Sequence, residues 1–139
     1  MQAEPYLIAS TVTCIVGQRV VRKVCPSCKI VKAPSVEAID RMKKVLDKLY
    51  YFSKISKLNF YVGKGCKECN NTGYLGRIGI YEVLVISPQI GKMVLSRQTS
   101  QQIEDEAIAE GMMSTKQDGF LKVIEGITTI EEVLRVAEE

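Results

Sequence analysis

Five cysteines carry the most reactive side chains of this 139-residue chain, and four of them form two pairs with the same spacing. Cys25 and Cys28 lie in CPSC, and Cys66 and Cys69 lie in CKEC. A Cys-x-x-Cys loop turns two sulfurs toward one point, so two such loops can offer four thiolates to a tetrahedral metal ion. A centre of that kind leaves no open position for water, and we therefore predict one structural zinc ion rather than a catalytic one.

Other interpretations of the two pairs stay open at this stage. A redox dithiol needs only one reactive pair, placed at a helix N-terminus. The presence of two pairs, the first with a proline inside it, does not require that arrangement. Iron held by four cysteines has the same ligand spacing, although the pattern favours zinc. The fifth cysteine, Cys14, lies in an apolar stretch and is interpreted as a small core residue, since free cysteine is often buried.

The rest of the composition narrows the chemistry further. Histidine is absent, which excludes the commonest general base and imidazole-bound metals. The phosphate-binding pattern G-x-x-x-x-G-K-[ST] does not occur, because GKG at 63–65 lacks its spacing. Acidic and basic residues are interleaved at a net charge of +3, so no nucleic-acid-binding patch is predicted. Apolar runs are too short to span a membrane.

Several elements must position the cysteines. We predict a buried helix from Glu4 to about Gly17, followed by a strand over Arg19–Val24. Because this helix begins almost at the first residue, we expect the chain to be a fragment of a longer protein. A second helix is expected to open at Pro34 and Ser35 and to end near Tyr51 or Phe52, before the polar link SKISK.

Strands and turns are predicted around the second pair. Short strands are expected at 58–62 and, most clearly, at 77–86. Asn70, Asn71 and Gly73 tolerate left-handed backbone, which would let N–H groups turn toward the thiolates. Four lysines flank the cysteines and would offset the negative charge of a filled site: Lys23, Lys29, Lys64 and Lys67.

The last third of the chain is predicted to be helical. Ser87 can cap a helix with Pro88 at its first position. Glycine stops are expected at Gly111 and Gly126. Capping boxes are predicted at three pairs: Thr99 with Gln102, Ser114 with Gln117, and Thr128 with Glu131. The fold class is therefore α+β, a small zinc-stapled domain with short strands plus a C-terminal bundle of about four short helices.

Three blocks of sequence resemble one family, the secretion ATPases of type II secretion and type IV pilus assembly. They are PYLIASTVTCIVGQRVVRKVCPSC, GCKECNNTGYLGRIGIYEVLVIS and IAEGMMSTKQDGFLKVIEGITTIEEVLRV. The middle block is the most specific: Cys-x-x-Cys, then Thr-Gly-Tyr-x-Gly-Arg, then Gly-Ile-Tyr-Glu. The resemblance is to the C-terminal third of those proteins and covers nearly the whole chain.

The resemblance implies a division of the chain and a set of ligands. Residues 1–24 would be the tail of a RecA-like ATPase core, 25–86 a tetracysteine zinc-binding subdomain with a helical insertion, and 87–139 a C-terminal helical subdomain. The zinc ligands carried over are Cys25, Cys28, Cys66 and Cys69.

The resemblance also implies the oligomeric state, location and partners of the parent protein. The family ATPase is a hexamer at the cytoplasmic face of the inner membrane, peripheral to it, where it drives pilin or pseudopilin assembly through a membrane platform protein. Walker A and B motifs precede the part that matches, so ATP and Mg²⁺ are expected in the parent only, and this fragment is not expected to be an enzyme. Its partners would be the platform protein and neighbouring ATPase subunits, and no nucleic acid.

The sequence disfavours two other functions. A nucleic-acid-binding zinc domain is disfavoured, because basic and aromatic residues do not alternate around the cysteines. A chaperone-like module is disfavoured because the J-domain chaperones carry four Cys-x-x-Cys-x-Gly-x-Gly units, whereas CKECNNTG is a single unit. Structural roles are predicted for Arg19, Arg22, Arg77 and Glu82, and for the methionines Met93, Met112 and Met113 as core filler.

Overall fold

A computed structural model describes residues 4–33, 35–46 and 59–137. Over those residues the chain forms six helices and four strands, so the predicted α+β class is confirmed. In chain order they are α1 Pro5–Thr11, β1 Cys14–Val24, β2 Lys29–Val31, α2 Val36–Leu46, β3 Tyr61–Gly63, β4 Tyr74–Val85, α3 Pro88–Leu95, α4 Ser100–Ala109, α5 Thr115–Ile124 and α6 Ile130–Ala137. None of these helices is long and apolar enough to cross a membrane.

The strands form two separate pairs. β1 pairs with β4, and β2 pairs with β3 in an antiparallel register that places Lys29 opposite Gly63. In the longer pair Cys25 N–H donates to Gly73 O near one end, and Ile86 N–H donates to Thr13 O near the other. Because residue numbers rise along one strand while they fall along the other, β1 and β4 are also antiparallel.

The first predicted helix is shorter than expected. It ends at Thr11, and the residues from Cys14 to Gly17, predicted to be helical, belong to β1. β-branched side chains at Val12, Thr13, Ile15 and Val16 favour extended backbone, and the partner strand β4 supplies the hydrogen bonds. The expected burial is also wrong, since α1 has no buried residue and Cys14 is exposed.

The described chain divides into two compact units. One combines the residues up to Gly17 with Tyr81–Ser114; there α1 packs on α3, whose Ile90 is fully buried, and α3 packs on α4. The other combines Gln18–Ile80 with the chain from Thr115 onward. The three-part division inferred from the family resemblance stays a prediction.

The core of the second unit lies among α2, α5 and α6. The apolar stripe predicted on α2 faces this core through Met42 and Leu46, both almost fully buried. Phe120 and Val123 come from α5, and Val133 comes from α6. Helix α2 is therefore held by tertiary packing on two later helices, and its polar side faces water.

Most predicted helix boundaries in the last third are confirmed. The Ser87 hydroxyl accepts from Ile90 N–H with Pro88 at the first helical position, and Thr99 forms the capping box with Gln102. Gly111 and Gly126 both have positive φ, at 101° and 71°, as helix stops require.

One capping box is displaced by a residue. α6 begins at Ile130, so Thr129 rather than Thr128 precedes it, and the Thr129 hydroxyl accepts from Glu132 N–H. Thr128 instead donates its hydroxyl to the carbonyl of Arg22 on β1. The box at Ser114 stays a prediction, although α5 does begin at Thr115.

Two strand boundaries also move. The short strand expected at 58–62 is β3 at Tyr61–Gly63, and the clearest predicted strand begins earlier, at Tyr74. The predicted end of the second helix near Tyr51 or Phe52 and the SKISK link lie outside the described residues.

Candidate metal centre

Pairing of β2 with β3 brings the two cysteine loops together. β2 starts directly after Cys28, and β3 ends three residues before Cys66. The ladder continues past the strands, because Lys64 N–H donates to Cys28 O at 3.1 Å. Each loop therefore leaves the same end of one antiparallel pair, and α2 lies in the chain between them.

The four sulfurs form a compact cluster. All four Sγ atoms of Cys25, Cys28, Cys66 and Cys69 lie within 4.8 Å of one another. The distances are 3.8 Å from Cys25 to Cys66, 3.9 Å from Cys28 to Cys69 and 3.6 Å from Cys66 to Cys69. With metal–sulfur bonds of about 2.3 Å, the edges of a tetrahedral four-thiolate zinc site are about 3.8 Å long. The donor set and spacing therefore fit a metal ion, and the sequence correctly predicted which cysteines lie together.

Backbone N–H groups surround the sulfurs. Gly65 N–H donates to the Cys28 sulfur at 3.2 Å, and the Cys69 sulfur accepts from Cys66 at 3.2 Å and from Gly73 at 3.3 Å. The turn that aims Gly73 contains Asn70 and Asn71 at φ of 50° and 60°. The predicted left-handed backbone is thus present, and it supplies donors to charged sulfur.

These surroundings shift the pKa values of the individual thiols in different directions. Burial opposes ionisation of Cys69, but the N–H groups of Cys66 and Gly73, together with the neighbouring thiols, outweigh it and lower its pKa to about 6. Burial raises the pKa of Cys28 to about 12, with only the Gly65 N–H acting strongly in the other direction. Because the pKa of the Cys28 thiol is raised, binding of a cation would have to displace its proton.

A close backbone approach holds the second loop beside β3. A Cβ atom added to Gly63 would lie 2.0 Å from Gly73 O, and one added to Gly73 would lie 2.5 Å from Gly63 O. Only glycine allows these two segments to touch, which places Gly73 N–H against the Cys69 sulfur. The Ser27 hydroxyl also donates to the Glu68 carboxylate, which joins the two cysteine loops directly.

Contacts with the turn before α6 fix the strand that leads into Cys25. Val24 N–H donates to Ile127 O at 2.8 Å, and Cys25 N–H donates to Gly73 O at 2.9 Å. The Tyr74 hydroxyl lies 3.1 Å from the Thr129 hydroxyl. Cys25, which is fully buried, therefore occupies a position defined by β4 and by the turn before α6.

Sequence reasoning missed the charged residue that completes this support. Glu132 is only 1% exposed, and its carboxylate accepts from the Arg22 backbone N–H and from the guanidinium groups of Arg22 and Arg135. Arg22 also lies over the Tyr74 ring, 4.3 Å from its centroid. Arg22 thus has the predicted packing role, but nothing local in the sequence pairs it with a residue 110 positions away.

The other highlighted residues lie apart from the sulfur cluster or support it indirectly. Cys14 is outside the cluster. Lys29, expected to offset the charge of the centre, has its Nζ 4.1 Å from the Tyr61 ring centroid. Met112 and Met113 are half-buried and line a shallow apolar cleft with Val83 and Val85.

Comparison with known proteins places the chain among secretion proteins. Residues 1–135 match the family described as Type II/IV secretion system protein. Over 139 residues the chain is 36% identical to the Type II secretion system ATPase E of Vibrio cholerae, covering 100% of this chain and 26% of that protein. Over 134 residues it is 35% identical to the Type IV pilus assembly ATPase PilB of Thermus thermophilus, covering 96% of this chain and 14% of that protein.

A third relative shows the same relation. The Type IV pilus assembly ATPase PilB of Pseudomonas aeruginosa is 33% identical over 139 residues, which are 100% of this chain and 23% of that protein. The chain therefore spans between 14% and 26% of the length of these relatives.

Proposed function

Because this chain belongs to the type II/IV secretion system protein family, we propose that it is the C-terminal zinc-binding module of an assembly ATPase. In the parent, ATP hydrolysis would drive assembly of pilins or pseudopilins at the cytoplasmic face of the inner membrane. The module would contact neighbouring subunits of a hexamer and the membrane platform protein. This setting rests on the family resemblance and on relatives named as secretion and pilus assembly ATPases.

The cluster of four cysteine sulfurs carries the proposal. Four soft donors at edges of 3.6 to 3.9 Å suit zinc, and three backbone N–H groups already point at two of the sulfurs. Bound zinc would supply a cross-link between two loops, with no position left for a reacting water. Cys25, Cys28, Cys66 and Cys69 would hold it, while Gly65, Cys66 and Gly73 would stabilise their negative charge through N–H groups.

The module itself is proposed to be without ATPase activity. The sequence contains no phosphate-binding loop and no histidine to serve as a base. Phosphate release from ATP by the purified chain should therefore equal the rate of a buffer blank. Turnover that scales with protein concentration and survives further purification would contradict this part of the proposal.

Chimeras of two relatives test the function in cells. In one, this chain replaces the matching residues of the Vibrio cholerae secretion ATPase; in the other, it replaces those of the Pseudomonas aeruginosa pilus ATPase. If the chain is an interchangeable motor module, at least one chimera restores secretion or pilus formation. The system restored also tells which of the two the parent serves.

Matched variants connect the restored activity to the centre. Cys66→Ser with Cys69→Ser removes two proposed ligands, whereas Cys14→Ser alters an exposed cysteine outside the cluster. We expect the double variant to abolish restoration and Cys14→Ser to preserve it. Failure of both chimeras while each protein is stable and hexameric would overturn the proposed function.

A further inference from the structure

Three arginines line one open cleft in the second unit. Arg22, Arg77 and Arg135 line it together with Val20 and Val21, and the cleft has a volume of about 680 Å³. The lining residues that the structure describes include no carboxylate. A smaller cavity beside Tyr74 shares Arg22 and Arg77 with it. Cationic side chains from two strands and a helix therefore converge on one concave surface.

Glu132 fixes two of these arginines and leaves their side chains accessible. Its buried carboxylate accepts one side-chain N–H from Arg22 and two from Arg135. The side chains of Arg22 and Arg135 are still 48% and 54% exposed, so ligands can reach them. A guanidinium has five N–H donors, and Arg22 gives one side-chain N–H to this carboxylate. The guanidinium groups of Arg22 and Arg135 are thus held in place, so less side-chain entropy is lost when a ligand binds.

A β-bulge places the third arginine beside the first. β4 has 12 residues against 11 in β1, and Gly76 within it has a φ of 78°. A glycine with left-handed backbone is the first residue of a common bulge in which two residues oppose one. Since Cys25 pairs with Gly73, counting along the strands sets Gly76 and Arg77 opposite Arg22. Within the described residues Arg77 itself makes no ion pair.

We propose that the cleft formed by Arg22, Arg77 and Arg135 binds a dianionic phosphate group. Three guanidinium groups line the cleft, and their positive charge attracts a phosphate monoester, which carries a charge of about −1.5 to −2 near neutral pH. Guanidinium forks also match the paired oxygens of phosphate. The site is separate from the sulfur cluster and needs neither bound zinc nor the proposed motor role.

Titration of the zinc-loaded full chain with inorganic phosphate tests the site. The ¹⁵N-labelled protein is titrated at fixed ionic strength, and the arginine Nε–Hε signals are followed by NMR. We expect saturable shifts of the Arg22, Arg77 and Arg135 signals. Arg77→Gln should weaken binding at least about tenfold, because a charge-assisted contact is lost. The backbone amide spectrum checks that the variant is folded.

Arg19→Gln is the matched control. It removes the same charge from an exposed position on β1 that does not line the cleft, and we expect affinity to change by less than about twofold. Equal weakening by the two substitutions would mean a diffuse charge effect and would overturn the proposal.

Vesicles distinguish the source of the phosphate. Phosphatidic acid vesicles, with phosphatidylcholine vesicles as reference, are compared with soluble phosphate. Arg77-dependent binding of soluble phosphate assigns a free phosphate or ester, and Arg77-dependent binding of phosphatidic acid vesicles alone assigns a lipid headgroup. Absence of Arg77-dependent binding in both arms would overturn the proposal.

Discussion

Cys69 and Glu132 show how single residues keep charge inside this small structure. Each is almost fully buried, and each is surrounded by donors: two backbone N–H groups for the sulfur, and two guanidinium groups with a backbone N–H for the carboxylate. The role of Cys69 could be predicted from the sequence because Cys-x-x-Cys spacing is local. The role of Glu132 could not be predicted, because the partners Arg22 and Glu132 meet only after β1 and α6 have packed.

Glu132→Gln should lower the free energy of unfolding by about 2–3 kcal/mol at neutral pH, since the substitution removes a buried, doubly paired charge. Glu131→Gln, at the exposed neighbouring position, should change it by less than about 0.5 kcal/mol. Denaturant titration of the two variants measures the difference. Equal stability of both would show that the ion pairs contribute nothing.

The same carboxylate predicts a pH dependence. Burial would raise the pKa of Glu132, but hydrogen bonds from Arg22 and Arg135 lower it to about 2 from an ordinary value of 4.5. A depressed pKa adds stability that is complete above the ordinary value and is lost as pH falls toward 2. The stability difference between wild type and Glu132→Gln should therefore shrink on acidification, and a constant difference would contradict the assignment.

Strand pairing determines secondary structure in this chain as much as the local sequence pattern does. The helices from α3 to α6 were predicted because their caps and glycine stops lie within a few residues of each boundary. The stretch Cys14–Gly17 was wrongly predicted as helix, because the hydrogen bonds that make it a strand come from β4, far along the chain. The bulge at Gly76 escaped prediction for the same reason.

Substitution of two helical glycines by alanine is expected to change the stability in opposite directions. A Cβ atom at Gly119 in α5 would lie 2.7 Å from Val133 Cγ1, whereas one at Gly91 in α3 would lie 4.0 Å from Ala9 Cβ. We expect Gly119→Ala to destabilise the protein by about 1–3 kcal/mol, because α5 and α6 must separate. Gly91→Ala should stabilise it by about 0.5–1 kcal/mol through helix propensity.

Thermal and denaturant unfolding of both alanine variants measure these effects. Stabilisation by both substitutions would show that α5 and α6 have room between them. Destabilisation by both would show that the contact of α1 with α3 is tighter than a 4.0 Å approach implies.

Across the whole molecule, the sulfur cluster links chain positions that are 41 residues apart. Closing a loop of this size restricts the unfolded chain, and a structural zinc site can contribute most of the folding energy of the segment it closes. The family could be predicted from the sequence because three blocks match it. What the module contacts could not be predicted, since a partner surface is encoded by the partner as well.

Metal analysis of the chain purified without added zinc tests the central claim most directly. Elemental analysis should find one zinc per chain, and chelation should remove hydrogen-exchange protection at Gly65, Cys66 and Gly73, whose N–H groups face the thiolates. The Cys66→Ser, Cys69→Ser variant should bind none, and Cys14→Ser should bind one. A metal-free protein that stays folded, with all four clustered thiols titrating freely, would contradict the account.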